Sequence, residues 1–198
     1  MLISFEGVDG CGKTTQARLL AERLRAEGRE VVLTREPGGS PGAEEIRRLL
    51  VEGDGSRWSP ETECLLFTAA RRDHLERVIR PALDRGAVVV TDRFADSTRI
   101  YQGTTRGELR PLVDRLHALV IGIEPDRTFV IAIDTATSVA RGAARGGVED
   151  RFESLGVGFQ QRLAQGFAAL AREFPQRVRL IDGTGTPHQV AQRVLAAL

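Results

Sequence analysis

Short apolar runs alternate with longer amphipathic stretches along the whole chain. The runs are Leu2–Glu6, Val31–Arg35, Ala87–Asp92, Arg127–Asp134 and Val178–Asp182. They are rich in Val, Ile and Leu, as strands of a sheet covered on both faces require. Helical periodicity lies between and after them, near Lys13–Glu27, Ala43–Val51, Glu61–Leu83, Glu108–Ile121, Phe152–Phe174 and His188–Leu198. Gly28, Gly86 and Gly122 fall at or near predicted helix ends, where a positive φ is often needed. Strand and helix in alternation imply right-handed crossovers. The predicted fold is therefore α/β, a doubly wound parallel five-stranded sheet with helices on both faces. No repeat, low-complexity segment or linker divides the chain, so residues 1–198 read as a single domain. In such sheets ligands sit beyond the carboxyl ends of the strands, and the residues that follow each strand are the candidates for chemistry.

The first strand leads into Gly7-Val8-Asp9-Gly10-Cys11-Gly12-Lys13-Thr14-Thr15, a G-x-x-x-x-G-K-[ST] spacing between strand and helix. The glycines allow a tight turn whose amides point at an anion. Lys13 supplies a cation for the β- and γ-phosphates, and the Thr14 hydroxyl can ligate Mg²⁺. The helix that follows directs its positive dipole end at the same anion. The second strand ends in Thr34-Arg35-Glu36-Pro37-Gly38-Gly39; Arg35 is either a phosphate ligand or a surface arginine, and Pro37 stiffens the loop, with a cis bond as one option. The third delivers Asp92-Arg93-Phe94: an Asp placed to hold Mg²⁺ and an Arg facing the transferring group, or a solvated pair.

Further on, Ser97 and Tyr101 stand at i, i+4, as do Thr98 and Gln102, on one face of a short helix. They form a polar solvent face or read a sugar and a base. Phe67 and Arg71 share the same spacing. They are a core ring with a solvated arginine, or a ring and guanidinium that sandwich a planar base. Arg141 to Arg151 is rich in glycine and arginine, and suits a basic loop or a lid that closes over phosphates and excludes water. His74, His117 and His188 have no paired ligands and read as ordinary helix residues. Cys11, at a helix N-terminus, is a candidate for a depressed thiol pKa.

Charge narrows the field. Lys+Arg is 28 against 27 for Asp+Glu, a balance that disfavours a general nucleic-acid or anionic-membrane binder. Lys13 is the chain's only lysine. Two cysteines make neither a metal cluster nor a disulfide framework, and no apolar run approaches a membrane span. A reducing cytoplasm is the expected compartment. An Asn-Lys-x-Asp guanine-reading run is missing, which disfavours a GTP switch.

Taken together, the segments resemble bacterial thymidylate kinases. The likeness rests on Phe5-Glu6-Gly7-Val8-Asp9-Gly10-Cys11-Gly12-Lys13-Thr14-Thr15-Gln16, Thr34 to Gly39, Phe67-Thr68-Ala69-Ala70-Arg71, Asp92-Arg93-Phe94, Ser97-Thr98, Tyr101-Gln102-Gly103 and Asp150-Arg151-Phe152-Glu153. The resemblance implies a P-loop nucleoside-monophosphate-kinase-like fold with a lid near 141–151. It implies transfer of the ATP γ-phosphoryl group to dTMP, with Mg²⁺, in a cytoplasmic homodimer that binds no nucleic acid or membrane. By the family pattern Gly7, Val8, Asp9, Gly10, Cys11, Gly12, Lys13, Thr14 and Thr15 bind ATP. Phe67 stacks on thymine and Arg71 bonds its carbonyl edge. Ser97, Thr98 and Gln102 line the acceptor pocket, Tyr101 packs near the sugar, and Asp9 sits by the 3′-hydroxyl. Arg35 and Arg93 grip the acceptor phosphate, while Thr14 and Asp92 support the metal. Some members carry a basic residue where Gly10 stands, so here catalysis falls to Lys13, Arg93 and the lid arginines Arg141, Arg145 and Arg151. Ala143 departs from relatives with another arginine there. A kinase for a different nucleoside or monophosphate is the nearest alternative.

Overall fold

In the computed structural model, which describes residues 1–53, 57–104, 108–145 and 157–198, the five apolar runs become strands. They are β1 (Leu2–Glu6), β2 (Val31–Arg35), β3 (Val88–Asp92), β4 (Arg127–Ala132) and β5 (Val178–Asp182). They form one all-parallel sheet in the order β2-β3-β1-β4-β5. Asp92 stands opposite both Phe5 and Arg35 in the register. The carboxyl ends of β1, β2 and β3 are therefore level, and the segments that leave them share one edge. Two strands differ in length from expectation: Ala87 precedes β3, and β4 stops at Ala132 because the chain turns there into a helix capped by Asp134.

The helices are α1 (Lys13–Ala26), α2 (Pro41–Val51), α3 (Pro60–His74), α4 (Arg80–Asp84), α5 (Ala95–Tyr101), α6 (Arg110–Leu116), α7 (Thr135–Arg145), α8 (Val157–Glu173) and α9 (Pro187–Ala196). Three of them begin on proline, one or two residues earlier than periodicity suggested, since a first-turn position needs no N–H and the ring presets φ. At α9 the start is reinforced by a capping box, in which Thr186 and Gln189 exchange side-chain and backbone bonds. The predicted helix Glu61–Leu83 is interrupted: a π-helical turn, Leu75–Ile79, joins α3 to α4. Pro81 follows it, and a widened turn relieves the clash of a proline ring with the carbonyl four residues back. The predicted Glu108–Ile121 likewise ends α6 in a π-helical turn, His117–Ile121, closed by Gly122 at φ +69°.

Alternation along the strands sends side chains to two covered faces. Leu2 and Val89 pack with Leu75, Ile79, Phe94 and Ile121. Ile3, Phe5, Val88 and Val90 join a larger cluster with Leu20 and Leu24 of α1, Leu163 and Phe167 of α8, and Val190 and Val194 of α9. The sheet is thus fixed on both sides, and its carboxyl edge is a rigid platform. Among the described residues no helix is long and apolar enough to cross a membrane.

Candidate active site

The turn after β1 is built for close backbone approach. Gly7 adopts φ +132°, and a Cβ there would lie 2.7 Å from the Ile131 carbonyl oxygen of β4, so no side chain fits. Gly12, at φ +99°, opens α1 directly. The Lys13 side chain folds back over the turn, donating to Val8 O at 2.8 Å and lying 3.8 Å from Asp9 Oδ1. The sole lysine thus sits inside the loop, 5 % exposed.

At the end of β3, Thr14 Oγ1 donates to Asp92 Oδ2, which joins the loop to the strand. Asp92 Oδ1 is buried with no hydrogen-bond partner among the described residues. A hydroxyl and a carboxylate with a spare oxygen, beside a phosphate loop, fit the sparse protein donor set of Mg²⁺, which takes its other ligands from phosphates and water.

Arg93 has φ +72°, the only positive value among described non-glycine residues. Such a conformation costs about 1–3 kcal/mol and persists only where surroundings enforce it. Here the Arg93 N–H donates to Phe5 O at 2.9 Å, Thr91 Oγ1 donates to Arg93 O at 2.8 Å, and the Phe94 N–H donates to Glu6 Oε1 at 2.7 Å. β1 therefore dictates the bend that turns the Arg93 guanidinium into the site. That group donates to Asp9 and, at 3.1 Å, to Ser97 Oγ. It also lies 5.1 Å from the Tyr101 ring centroid, and Tyr101 donates its hydroxyl proton to Asp9 at 2.9 Å. Burial by itself lowers the Arg93 pKa, but Asp9 and its other neighbours outweigh it and hold the group firmly charged. The Tyr101 phenol is pushed up, first by burial.

On the other side, Arg71 of α3 is buried. Its Nε donates to Glu36 Oε2 at 2.7 Å, and Nη2 to Thr98 Oγ1 at 3.1 Å. Glu36, beside a cis Glu36–Pro37 bond, also meets His74 Nδ1 at 3.1 Å, and His74 Nε2 meets Thr34 Oγ1 at 2.7 Å. Burial raises the Glu36 pKa, yet Arg71 and His74 together bring it below its ordinary value. Between these two clusters lies a cavity of about 600 Å³. Lys13, Thr14 and Asp92 line one part of it, and Phe67, Arg71, Thr98 and Gln102 another. Such a volume suits one nucleotide-sized ligand.

A sequence profile of the thymidylate kinase family matches residues 5–194. The thymidylate kinase of Dinoroseobacter shibae is 65% identical over 197 residues, covering 100% of this chain and 95% of that protein. That of Ruegeria pomeroyi is 63% identical, covering 98% and 92%. The crystal structure of thymidylate kinase from Ehrlichia chaffeensis superposes with a TM-score of 0.80 at 36% identity, covering 100% of this chain and 97% of that one. The chain belongs to the thymidylate kinase family. It is a P-loop kinase that catalyses the ATP-dependent phosphorylation of dTMP to dTDP.

Seen as a thymidylate kinase, the chain gathers most residues singled out in the sequence. Asp9, Ser97 and Tyr101 line the cavity with Arg93. Arg35 also lines it, but is exposed and paired with Glu44 at 3.2 Å. Gly7, Val8, Gly10, Cys11, Gly12 and Thr15 belong to the loop and first turn rather than to the cavity wall. Two expectations need correction. Cys11 is buried, and desolvation raises its thiol pKa in spite of Lys13; the helix end does not depress it. Arg141 and Arg145 lie on a helix, α7, rather than in a hinge-rich loop. The Asp134 carboxylate caps it by accepting from the Thr137 N–H at 2.8 Å, and alanines favour its continuation. Arg141 is exposed and does not line the cavity. Arg151 lies outside the described residues.

Other site residues escaped sequence reasoning. Glu6, Glu36 and His74 hold Arg93 and Arg71 in place, and Arg47 lines the cavity while donating to Pro37 O at 2.6 Å. Glu6 is fully buried; desolvation, then Asp96, pushes its pKa up to about 8.

Proposed function

We propose that the two clusters divide the transfer between donor and acceptor. The amides of residues 7–15 and the Lys13 ammonium hold the ATP phosphates. Thr14 and Asp92 hold Mg²⁺, which when bound neutralises charge on the phosphoryl oxygens. The thymine of dTMP lies against Phe67 with Arg71 at its carbonyl edge, and Thr98 and Gln102 complete the wall. Tyr101 packs on the sugar, Asp9 accepts from the 3′-hydroxyl, and Arg93 and Arg35 take the acceptor phosphate. The observation that carries this reading is one continuous cavity lined by Lys13 and Asp92 in one part and by Phe67 and Arg71 in another, a lining that supports an acceptor nucleotide lying end-on to the phosphate loop.

No covalent intermediate or strong base is needed. The acceptor phosphate is already an anionic nucleophile, so alignment and charge neutralisation supply the rate. Arg93 is pre-oriented by its enforced backbone bend and needs no rearrangement as charge develops. The segment 141–151 acts as a lid on the single domain, with Arg141, Arg145 and Arg151 as the arginines that reach the transferring group. The enzyme works as a cytoplasmic homodimer.

An ADP-release assay with dTMP, dUMP, dCMP, AMP and thymidine as acceptors tests the assignment. Preference for dTMP is expected. Preference for AMP or thymidine would overturn the acceptor pocket.

A further inference from the structure

Glu63, Phe67 and Arg71 stand at i, i+4 and i+8 and so share one face of α3. Two hydrogen bonds tie that face to α5 and the residue after it. Arg71 Nη2 donates to Thr98, and Gln102 Nε2 donates to Glu63 Oε2 at 3.1 Å. Both members of the second pair are buried, at 1 % exposure or less. Gln102 lines the cavity, whereas Glu63 stands behind it. The Gln102 carbonyl oxygen accepts no hydrogen bond from the described residues and is not a buried orphan.

An amide has a donor end and an acceptor end, and its neighbours decide which way it points. A carboxylate only accepts. We infer that Glu63 is a positioning residue for base selection: by taking the Gln102 NH₂ group, it holds the Gln102 carbonyl toward the base. Arg71 completes the pattern. Its Nε and Nη2 are engaged, and Nη1 makes no hydrogen bond with the described residues. The wall then offers one donor and one acceptor. That complements the edge of thymine or uracil, with a carbonyl at C4 and N–H at N3. Cytosine reverses both, with an amino group at C4 and a bare nitrogen at N3. Glu63 thus separates dTMP and dUMP from dCMP and does nothing to separate dTMP from dUMP. This rests on the base pocket proposed above.

The test is the ratio of kcat/KM for dTMP to that for dCMP, at saturating ATP, in the full chain. A site built to hydrogen-bond a substrate rejects its mismatch strongly, so Glu63→Gln, which lets the amide turn, is expected to lower the ratio by roughly tenfold or more. The KM for ATP should not move. A purely structural role would reduce turnover of both acceptors alike; an unchanged ratio overturns the inference. The exchange Glu63→Gln/Gln102→Glu gives a carboxylate at 102 that accepts from a new amide at 63 and still faces the base as an acceptor. It should raise the ratio again, and failure to do so also overturns the inference. If Glu63→Gln does not fold, Gln102→Ala removes the acceptor while leaving Glu63 in place, and the ratio must fall or the inference fails. A wild-type enzyme indifferent between dTMP and dCMP would instead overturn the base pocket itself.

Discussion

Arg71→Met separates the two duties given to the Arg71 guanidinium. Arg71 and Glu36 form an ion pair at 2.7 Å in which each side chain is 4 % exposed. Removing one partner of a buried pair costs about 3–5 kcal/mol, because the other charge is left without compensation. His74 remains 3.1 Å from the second Glu36 oxygen, which favours the low end, about 3 kcal/mol. In a chain of this size each kcal/mol moves the thermal midpoint by about 2–4 °C, so the variant should melt roughly 6–12 °C below wild type. The loss is pH-dependent. Glu36 sits below its ordinary 4.5 in the folded chain, so its pairing contributes stability above that pH and loses it as pH falls through the depressed folded value. Wild type and variant should therefore converge in acid. The double variant Glu36→Gln/Arg71→Met removes both charges and should return to within about 1 kcal/mol of wild type, since a neutral pair carries little of the desolvation burden. It should not regain dTMP affinity, while ATP affinity stays at the wild-type level. Calorimetric melts and titrations with each nucleotide read both effects. A single variant as stable as wild type, or a double variant less stable than the single, would refute the pairing argument.

Other perturbations reach the remaining parts of the site. Lys13→Ala should cut kcat by about 10²–10³, the loss seen when one preorganised electrostatic contact is removed; steady-state rates on folded protein check it, and near-normal turnover contradicts the role. Asp92→Asn should raise the Mg²⁺ concentration for half-maximal activity by roughly tenfold or more, read from a metal titration at fixed ATP. Glu6→Gln probes the buried acid behind Arg93. A pKa raised from 4.5 to about 8 means that the folded chain keeps a proton the unfolded chain releases, so the Glu6 contribution is complete below 4.5 and is lost as pH rises toward 8. The variant does not titrate, and in denaturant melts it should gain on wild type between those values and then level off; a constant difference would show that Glu6 does not titrate in this range.

How much could be read from the chain follows from how far apart the cooperating residues lie. The phosphate loop was legible because its spacing is strict and local. Phe67 with Arg71 and Thr98 with Gln102 were legible because a helical turn brings each pair to one face. The groups that hold them were not. Glu6 meets Ser97 across 91 positions, Arg71 meets Glu36 across 35, and Gln102 meets Glu63 across 39, and only the tertiary fold, which sets β1 beside β3 and brings α3 to the turn after β2 and to α5, puts them together. His74 looked like an ordinary helix residue because its partners Glu36 and Thr34 belong to β2 and the turn after it. The π-helical turns left no trace in the periodicity, although Pro81 marks where one had to be. The signal for the start of α7 lies in Asp134, which caps it, and in the alanines that follow.

The central claim is that an acceptor base rests on α3 while the phosphates of both nucleotides meet at the turn after β1. A crystal structure with dTMP and a non-hydrolysable ATP analogue tests it most directly. The account predicts thymine packed on Phe67, its edge against Arg71 and Gln102, and the donor phosphates among the amides of residues 7–15. Thymine bound away from the α3 face, or donor phosphates away from that turn, would contradict it.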